Sequence, residues 1–434
     1  MQTASKKVVN GWAMYDWANS VYNLVITTTF FPIYFTAVTP EHVPFLGRHF
    51  VNSSLYNYSL AAAYLIIALL YPILTSIADT RGNKKAFMRF FCYMGSIGCS
   101  LLYLFKGEDS LGFGVVMFML AAIGWCGSVV FYNSYLPEIA AEKDRDRISA
   151  RGFSFGYIGS VICQLIGFAL ILMMPHNEGE ASRLTFLLVG FWWFGFAHIT
   201  FARLPDSKPA VDKHEGNVIT EGFREIRKVY IQVTKMPILK RFLRGFFFYS
   251  MGVQTVMLAA TLFGSKLLGL DSTKLILTAV AIQLVAIPGA WGMARLSSIF
   301  GNLRVLMGVI LLWIGICVAA YYTAMIKEQG GDPEYLFYGL AVAVGLVMGG
   351  VQSLSRSTYS KLMPETKDTA TYFSYYDFTQ NIAIVIGMFS FGYIEELTGS
   401  MKHSVLSLIF FFFVGLVWLY SARVKQRKEA KATL

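Results

Sequence analysis

Twelve stretches of this chain contain no Asp, Glu, Lys or Arg: residues 17–40, 49–78, 90–105, 110–137, 152–177, 184–202, 245–265, 275–294, 305–326, 335–355, 378–394 and 404–422. A helix needs about 20 apolar residues to cross a bilayer core of about 30 Å. In that core the backbone has to satisfy its own hydrogen bonds, so only helices and closed barrels span it. A barrel strand is about 10 residues of strict alternation. These runs are longer and apolar all round, so the expected fold class is an all-α membrane protein with twelve transmembrane helices. The shortest run, 90–105, must borrow flanking residues such as Arg89, whose charged head can snorkel. Charged residues make up only 15% of the chain, where a soluble domain carries about 25%.

Lys6 and Lys7 resemble the charged start of a signal peptide. The apolar run that follows is too long for one and carries no small-residue cleavage site, so it reads as a retained first span. With the N-terminus placed in the cytoplasm, 30 of the 37 Lys and Arg residues fall on the inside. The positive-inside rule therefore puts both termini in the cytoplasm, in a plasma (inner) membrane. The same reasoning turns the net charge of +11 into a topology signal, and no nucleic-acid partner is expected. Cys92, Cys99, Cys126, Cys163 and Cys317 all lie in or beside apolar runs and form no CxxC pair, and the six histidines have no metal-ligand spacing. No metal, disulfide or cofactor is expected.

The longest non-spanning segment, 204–239, holds Pro205, Pro209, Gly216 and many charges, followed by an amphipathic run from Ile219 to Val233. It separates an N-terminal six-helix bundle (1–203) from a C-terminal one (240–434). A weak internal repeat agrees with the division. Tyr135-Leu136-Pro137-Glu138 follows the fourth span and Leu362-Met363-Pro364-Glu365 the tenth. Gly82-Asn83 follows the second span and Gly301-Asn302 the eighth.

Polar residues inside the runs are the functional candidates, because lipid cannot satisfy them. In the first span Asp16, Asn19, Ser20, Asn23 and Thr27 recur at helical spacing as one stripe, flanked by Tyr22. Asp16 lies about five residues from the cytoplasmic end of its span, roughly 8 Å deep at 1.5 Å per residue. It reads as either a substrate or proton site or a static gate. Asn133 in the fourth span and Tyr157 in the fifth extend the set. Gln352 and Arg356 stand one turn apart in the tenth span, and Ser374, Asp377 and Asn381 share a face of the eleventh. A buried charge needs a partner, so Asp377 is expected to pair with Arg356. Gly152, Gly156 and Gly159 lie on one face and read as a close helix contact. A cytoplasmic gate is expected from Asp79, Gly82, Glu138 and Arg147, with Glu138 latched to Arg145 or Arg147. Gly82 allows a tight turn, the loop lysines face the anionic leaflet, and Asp79 can cap a neighbouring helix or pair with an arginine across the bundle when the inside gate is closed.

The loop after the second span, Ala78-Asp79-Thr80-Arg81-Gly82-Asn83-Lys84-Lys85, resembles the signature loop of the major facilitator superfamily. Ser76, Thr80 and Asn83 stand where that signature has glycine or arginine. Five further pieces resemble the vacuole-effluxer-like branch: Tyr15-Asp16-x-x-Asn19-Ser20, Phe31-Pro32-x-Tyr34, Tyr132-Asn133-x-x-Leu136-Pro137, Ser149-x-x-Gly152-x-x-x-Gly156-Tyr157-x-Gly159 and Gln352-x-x-x-Arg356-Ser357. Ser374 departs from the branch, which usually has glycine there. The resemblance implies the major facilitator fold of two six-helix halves. It also implies a monomeric secondary transporter moving a small solute such as an amino acid or peptide, with protons or another cation as possible coupling partners and membrane lipids around it. A lipid flippase or scramblase on the same fold is the alternative. No Walker loop, HExxH or GxSxG is present, so neither ATP-driven transport nor an enzyme is expected.

Overall fold

The computed structural model describes residues 2–207, 218–264 and 268–432. Twelve long helices follow the twelve apolar runs: α1 (Lys6–Val38), α2 (Asn52–Arg81), α3 (Lys84–Leu104), α4 (Leu111–Ser134), α5 (Arg145–Met173) and α6 (Glu178–Arg203), then α7 (Pro237–Leu262), α8 (Ser272–Phe300), α9 (Asn302–Glu328), α10 (Glu334–Leu362), α11 (Thr369–Thr398) and α12 (Met401–Ala432). Among the described residues ten helices are long and apolar enough to cross a membrane. The other two, α7 and α11, have 26 and 30 residues. Lys240, Arg241 and Arg244 lie near the start of the first, and Asp377, Glu395 and Glu396 lie in the second.

Within the first half α1 packs on α5 and α6, and α4 on α2 and α3. Within the second, α7 packs on α11 and α12, and α10 on α8 and α9. The halves meet along two main seams, α2 against α11 and α5 against α8, with α4 reaching α11 and α5 reaching α10. Exchanging the halves converts one seam into the other, as an internal repeat requires.

Three local features differ from the sequence expectation. First, α1 begins at Lys6, eleven residues before its charge-free run. Asp16 is therefore ten residues into the helix, about 15 Å along its axis, rather than five. Second, Tyr22–Phe30 winds as a π-helix, a form associated with functional sites. The wider turn is held by donors onto the Leu24 carbonyl: Thr28 Oγ1, Thr29 Oγ1 and, from α5, Gln164 Nε2, each at 2.9 Å. Third, a hairpin, β1 (His42–Phe45) and β2 (Arg48–Val51), fills the first turn, with Phe45 opposite Arg48.

In the linker, Pro209 and Gly216 lie outside the described residues. The amphipathic run forms a helix, Val218–Lys235. It packs on α2, α7 and α11, burying Val229 and Val233 and leaving Tyr230 and Ile231 exposed. The side of the bundle that carries it is called the linker face below.

Candidate functional site

Small residues set the geometry of the first cluster. A Cβ at Gly152 would lie 2.5 Å from Asp16 Oδ2, and one at Gly156 would lie 2.4 Å from Ser20 Oγ. Glycine at both positions lets α5 press directly on the polar stripe of α1. Asp16 Oδ2 then accepts from Tyr132 OH at 2.7 Å and from Arg356 Nη1 and Nη2 at 3.3 and 3.2 Å. Arg356 donates further to Ser149 Oγ (3.0 Å), the Ser149 carbonyl (3.0 Å) and Asn133 Oδ1 (3.3 Å). A guanidinium has five N–H groups, and these five contacts occupy them all. The rings of Phe153, Trp12 and Tyr132 surround it with centroids at 4.2, 4.8 and 5.4 Å. Arg356 is thus a saturated strut from α10 into the first half, with no donor left for a ligand.

This arrangement corrects the expected Arg356–Asp377 pair. Asp377 accepts from Asn133 Nδ2 at 3.2 and 3.5 Å, and Asn133 Oδ1 faces Arg356. One amide from α4 separates the arginine from the second carboxylate.

Above the strut lies a cavity with about 980 Å³ of empty space, its mouth included, between the two halves. Of the expected pathway residues, Asp16, Asn19, Asn23, Asn133, Tyr157, Gln352, Arg356 and Asp377 line it. Tyr157 OH donates to Gln352 Oε1 across the halves at 3.0 Å. Among the described residues Asn19 Nδ2 is buried with no partner, so a donor is available to a ligand. Two expected residues are elsewhere. Tyr22 is buried against Trp125 and Trp193 inside the first half, because at about 100° per residue it falls well off the face that holds Asp16, Asn19 and Asn23. Asn381 turns to Tyr71 OH at 3.3 Å. Residues that sequence reasoning passed over complete the lining, among them Tyr249, Gln254, Tyr376 and Gln380.

Two polar clusters close the linker face. At the α2/α11 seam Asp79 accepts from the backbone N–H of Ala370 (3.2 Å) and Thr371 (2.7 Å) and from Thr371 Oγ1 (2.8 Å). It caps the first turn of α11 from the opposite half, where orphan N–H groups favour an anion. Lys84 lies inside, only 2% exposed, 2.9 Å from Asp79 and 2.5 Å from Glu138, and it donates to Thr369 Oγ1 at 2.6 Å. Lys84 therefore does not face the leaflet, and Glu138 is latched to it rather than to an arginine. Arg145 reaches the Ser360 carbonyl instead. Arg147 is 65% exposed and pairs only locally with Asp144, which removes it from the expected gate. Gly82, at φ +64°, closes the α2/α3 turn that aims Lys84 inward.

At the α5/α8 seam Asp146 accepts from Ser297 Oγ (2.8 Å), Asn302 Nδ2 (2.7 Å) and Lys361 Nζ (2.6 Å). Sequence reading missed this cluster. Asp146 sits between Arg145 and Arg147, in a run that looks like solvated charge. The one available signal was the Gly301-Asn302 repeat of Gly82-Asn83.

The family described as vacuole effluxer Atg22 like matches residues 4–432. The chain belongs to that family. Among Atg22-like relatives, the uncharacterized MFS-type transporter YxiO of Bacillus subtilis is 32% identical over 419 residues, covering 95% of this chain and 94% of its own. Autophagy-related protein 22 of Kluyveromyces lactis is 25% identical over 414 residues, covering 89% and 83%. Solved structures share the Atg22-like chain's fold. The proton:xylose symporter XylE superposes with a TM-score of 0.71 at 11% identity, over 96% of this chain and 95% of that one. The E. coli fucose:proton symporter FucP gives 0.66 at 14%, over 96% and 97%. The fold is that of the major facilitator superfamily, and the chain is a membrane transporter of that class.

Proposed function

We propose that this protein moves a small solute, of amino-acid or short-peptide size, across the plasma membrane by rocking its halves, 1–203 and 240–434, about the central cavity. One observation carries the reading. The cavity is lined by both halves, and its linker-face end is shut by contacts that each join one half to the other. Such contacts form and break as a unit when two rigid bundles rotate, which alternating access requires. The Atg22-like family, with its vacuole effluxers, supports the solute class. The 30-of-37 charge split supports a cytoplasmic linker face.

Two experiments test this. A cysteine at Lys143, on the linker face, reacts with a reagent applied from the cytoplasm, and one at His176 reacts from outside. All five native cysteines are buried, so background labelling is low. The reverse pattern sinks the orientation. A thermal-shift screen of amino acids, short peptides, sugars and cell-wall fragments then finds the solute, since a ligand that prefers the folded state raises apparent stability. In vesicles, flux of that solute without lipid flip supports solute transport, whereas flip without flux makes the protein a scramblase.

A further inference from the structure

Three charged groups line the cavity: Asp16, Arg356 and Asp377. The first two neutralise each other at 3.2 Å. Asp377 is 6% exposed and takes its hydrogen bonds from the Asn133 amide. Among the described residues no Lys, Arg or His forms an ion pair with it. Arg356, the nearest cation, has spent every donor on Asp16, Ser149 and Asn133. The titratable groups around Asp377 are Tyr71 from α2, Cys126 from α4, Arg356 and Tyr359 from α10, and Tyr376 on its own helix. Tyr249 of α7 faces the same cavity. None of these except Arg356 is a base. Ionised and unpaired, a carboxylate in such a place costs several kcal/mol, and it escapes by holding a proton.

We propose that Asp377 is the carboxylate that takes up and releases a coupled proton during transport, while Asp16 stays ionised and is paired with Arg356 whenever the linker-face end is shut. This deepens the transport reading and rests on it. The proton comes from cavity water on one side of the membrane, adds to a carboxylate oxygen of Asp377, and returns to water on the other side after the halves rock. Asn133 supplies the link between proton and conformation. It belongs to α4, in the half opposite Asp377, so parting α4 from α11 removes the amide that bonds the ionised form. Proton occupancy and the state of the seam then bias each other reciprocally.

Dicyclohexylcarbodiimide, an apolar reagent that attacks carboxyl groups in their protonated form, tests the assignment on the full-length protein in lipid vesicles. Mass-spectrometric mapping over a pH series should find the adduct on Asp377, falling as pH rises, with none on Asp16. D377N should lose it and D377E should regain it at the same position. That last pair keeps the test decisive if D377N is poorly folded. An adduct on Asp16 in place of Asp377, or an unreactive Asp377 at every pH, overturns the proposal. A second arm follows a radiolabelled amino-acid mixture in the same vesicles. Counterflow exchange and accumulation driven by a pH gradient are both followed: D377N should lose the accumulation, and undiminished accumulation also overturns the proposal. A wild-type protein that moves no label in either mode overturns the transport reading instead. The two failures are separable, because carbodiimide labelling is read without any solute.

Discussion

At the α2/α11 seam the carboxylate belongs to the end of a helix in the first half, and Asp79 points outward to cap the first turn of α11. At the α5/α8 seam the equivalent loop of the second half carries Ser297, Gly301 and Asn302 and has no acid. Its carboxylate comes from the other partner, as Asp146 at the start of α5, and the loop answers with donors. The internal repeat has thus kept the position of the contact while exchanging which of the two packed helices carries the charge, so that both carboxylates, Asp79 and Asp146, belong to the first half. Burial follows the exchange. The lysine of the first seam is 2% exposed and faces two carboxylates, whereas the lysine of the second is 19% exposed and faces one that has two other donors.

This contrast makes the two lysines unequal. Lys84→Met keeps the apolar stem but leaves Asp79 buried beside Glu138 with no cation. Removing one partner of a buried ion pair costs about 3–5 kcal/mol. The expected result is a large fall in apparent unfolding temperature and new labelling, from the linker face, of a cysteine introduced into the cavity lining. Lys361→Met leaves Asp146 with Ser297 and Asn302, so the loss should be about 1–2 kcal/mol, the worth of one charge-assisted bond in a half-open site. Equal losses in the two variants would erase the difference between the seams.

The fold was legible because charge-free runs of span length have few physical alternatives. The stripe on α1 was legible for the same reason, since Asp16 and Asn19 cannot face lipid. Partners were harder to read. Arg356 was matched to Asp377 because they lie on consecutive spans, but its partner Asp16 is 340 residues away. Nothing in a single sequence ranks that distance above 21. Lys84 was read as a leaflet lysine because burial is a property of the assembled seam, and an Asn-Lys-Lys loop looks solvated when taken alone. Tyr22 was misplaced because it was grouped with the stripe as its neighbour in sequence, although 3.6 residues per turn already sets it on another face from Asp16 and Asn23.

The turn glycines sharpen the comparison at a middle scale. Gly82 sits at φ +64°, ψ +29°, a left-handed conformation that Asn also adopts and that costs other residues about 1–2 kcal/mol. Gly301 sits at φ +86°, ψ +145°, near a region that is essentially glycine-only, with strain of about 1–3 kcal/mol. Open space surrounds a Cβ at Gly301, so any penalty there is conformational rather than steric. Gly82→Asn should therefore be tolerated, while Gly301→Asn should lower stability and loosen the α5/α8 seam by misplacing Asn302. If Gly301→Asn matched wild type in a thermal melt, that turn would be adjustable and the second seam less rigid than its geometry implies.

The smallest expected effect belongs to the residue beside the largest. Lys85 follows Lys84 in the same turn and pairs with Asp206 at 2.7 Å, but Asp206 is 89% exposed. The Lys85 ammonium, by hydrogen bond first and by charge second, holds the Asp206 carboxyl below its ordinary range. A carboxyl whose folded-state value is depressed adds stability above its unfolded value, near 3.9, and loses it as pH falls through the folded one. In that window the sign favours the pair, and at neutral pH its contribution is fully present. Water and salt nevertheless screen an exposed pair until little is left to measure. Lys85→Ala should therefore leave unfolding temperature and linker-face labelling unchanged at neutral pH, at low and high salt alike, while Lys84→Met changes both. A Lys85→Ala defect as large as that of Lys84→Met would mean that the loop closes the gate by its summed charge at the membrane surface, and that the buried Asp79–Lys84–Glu138 geometry is incidental.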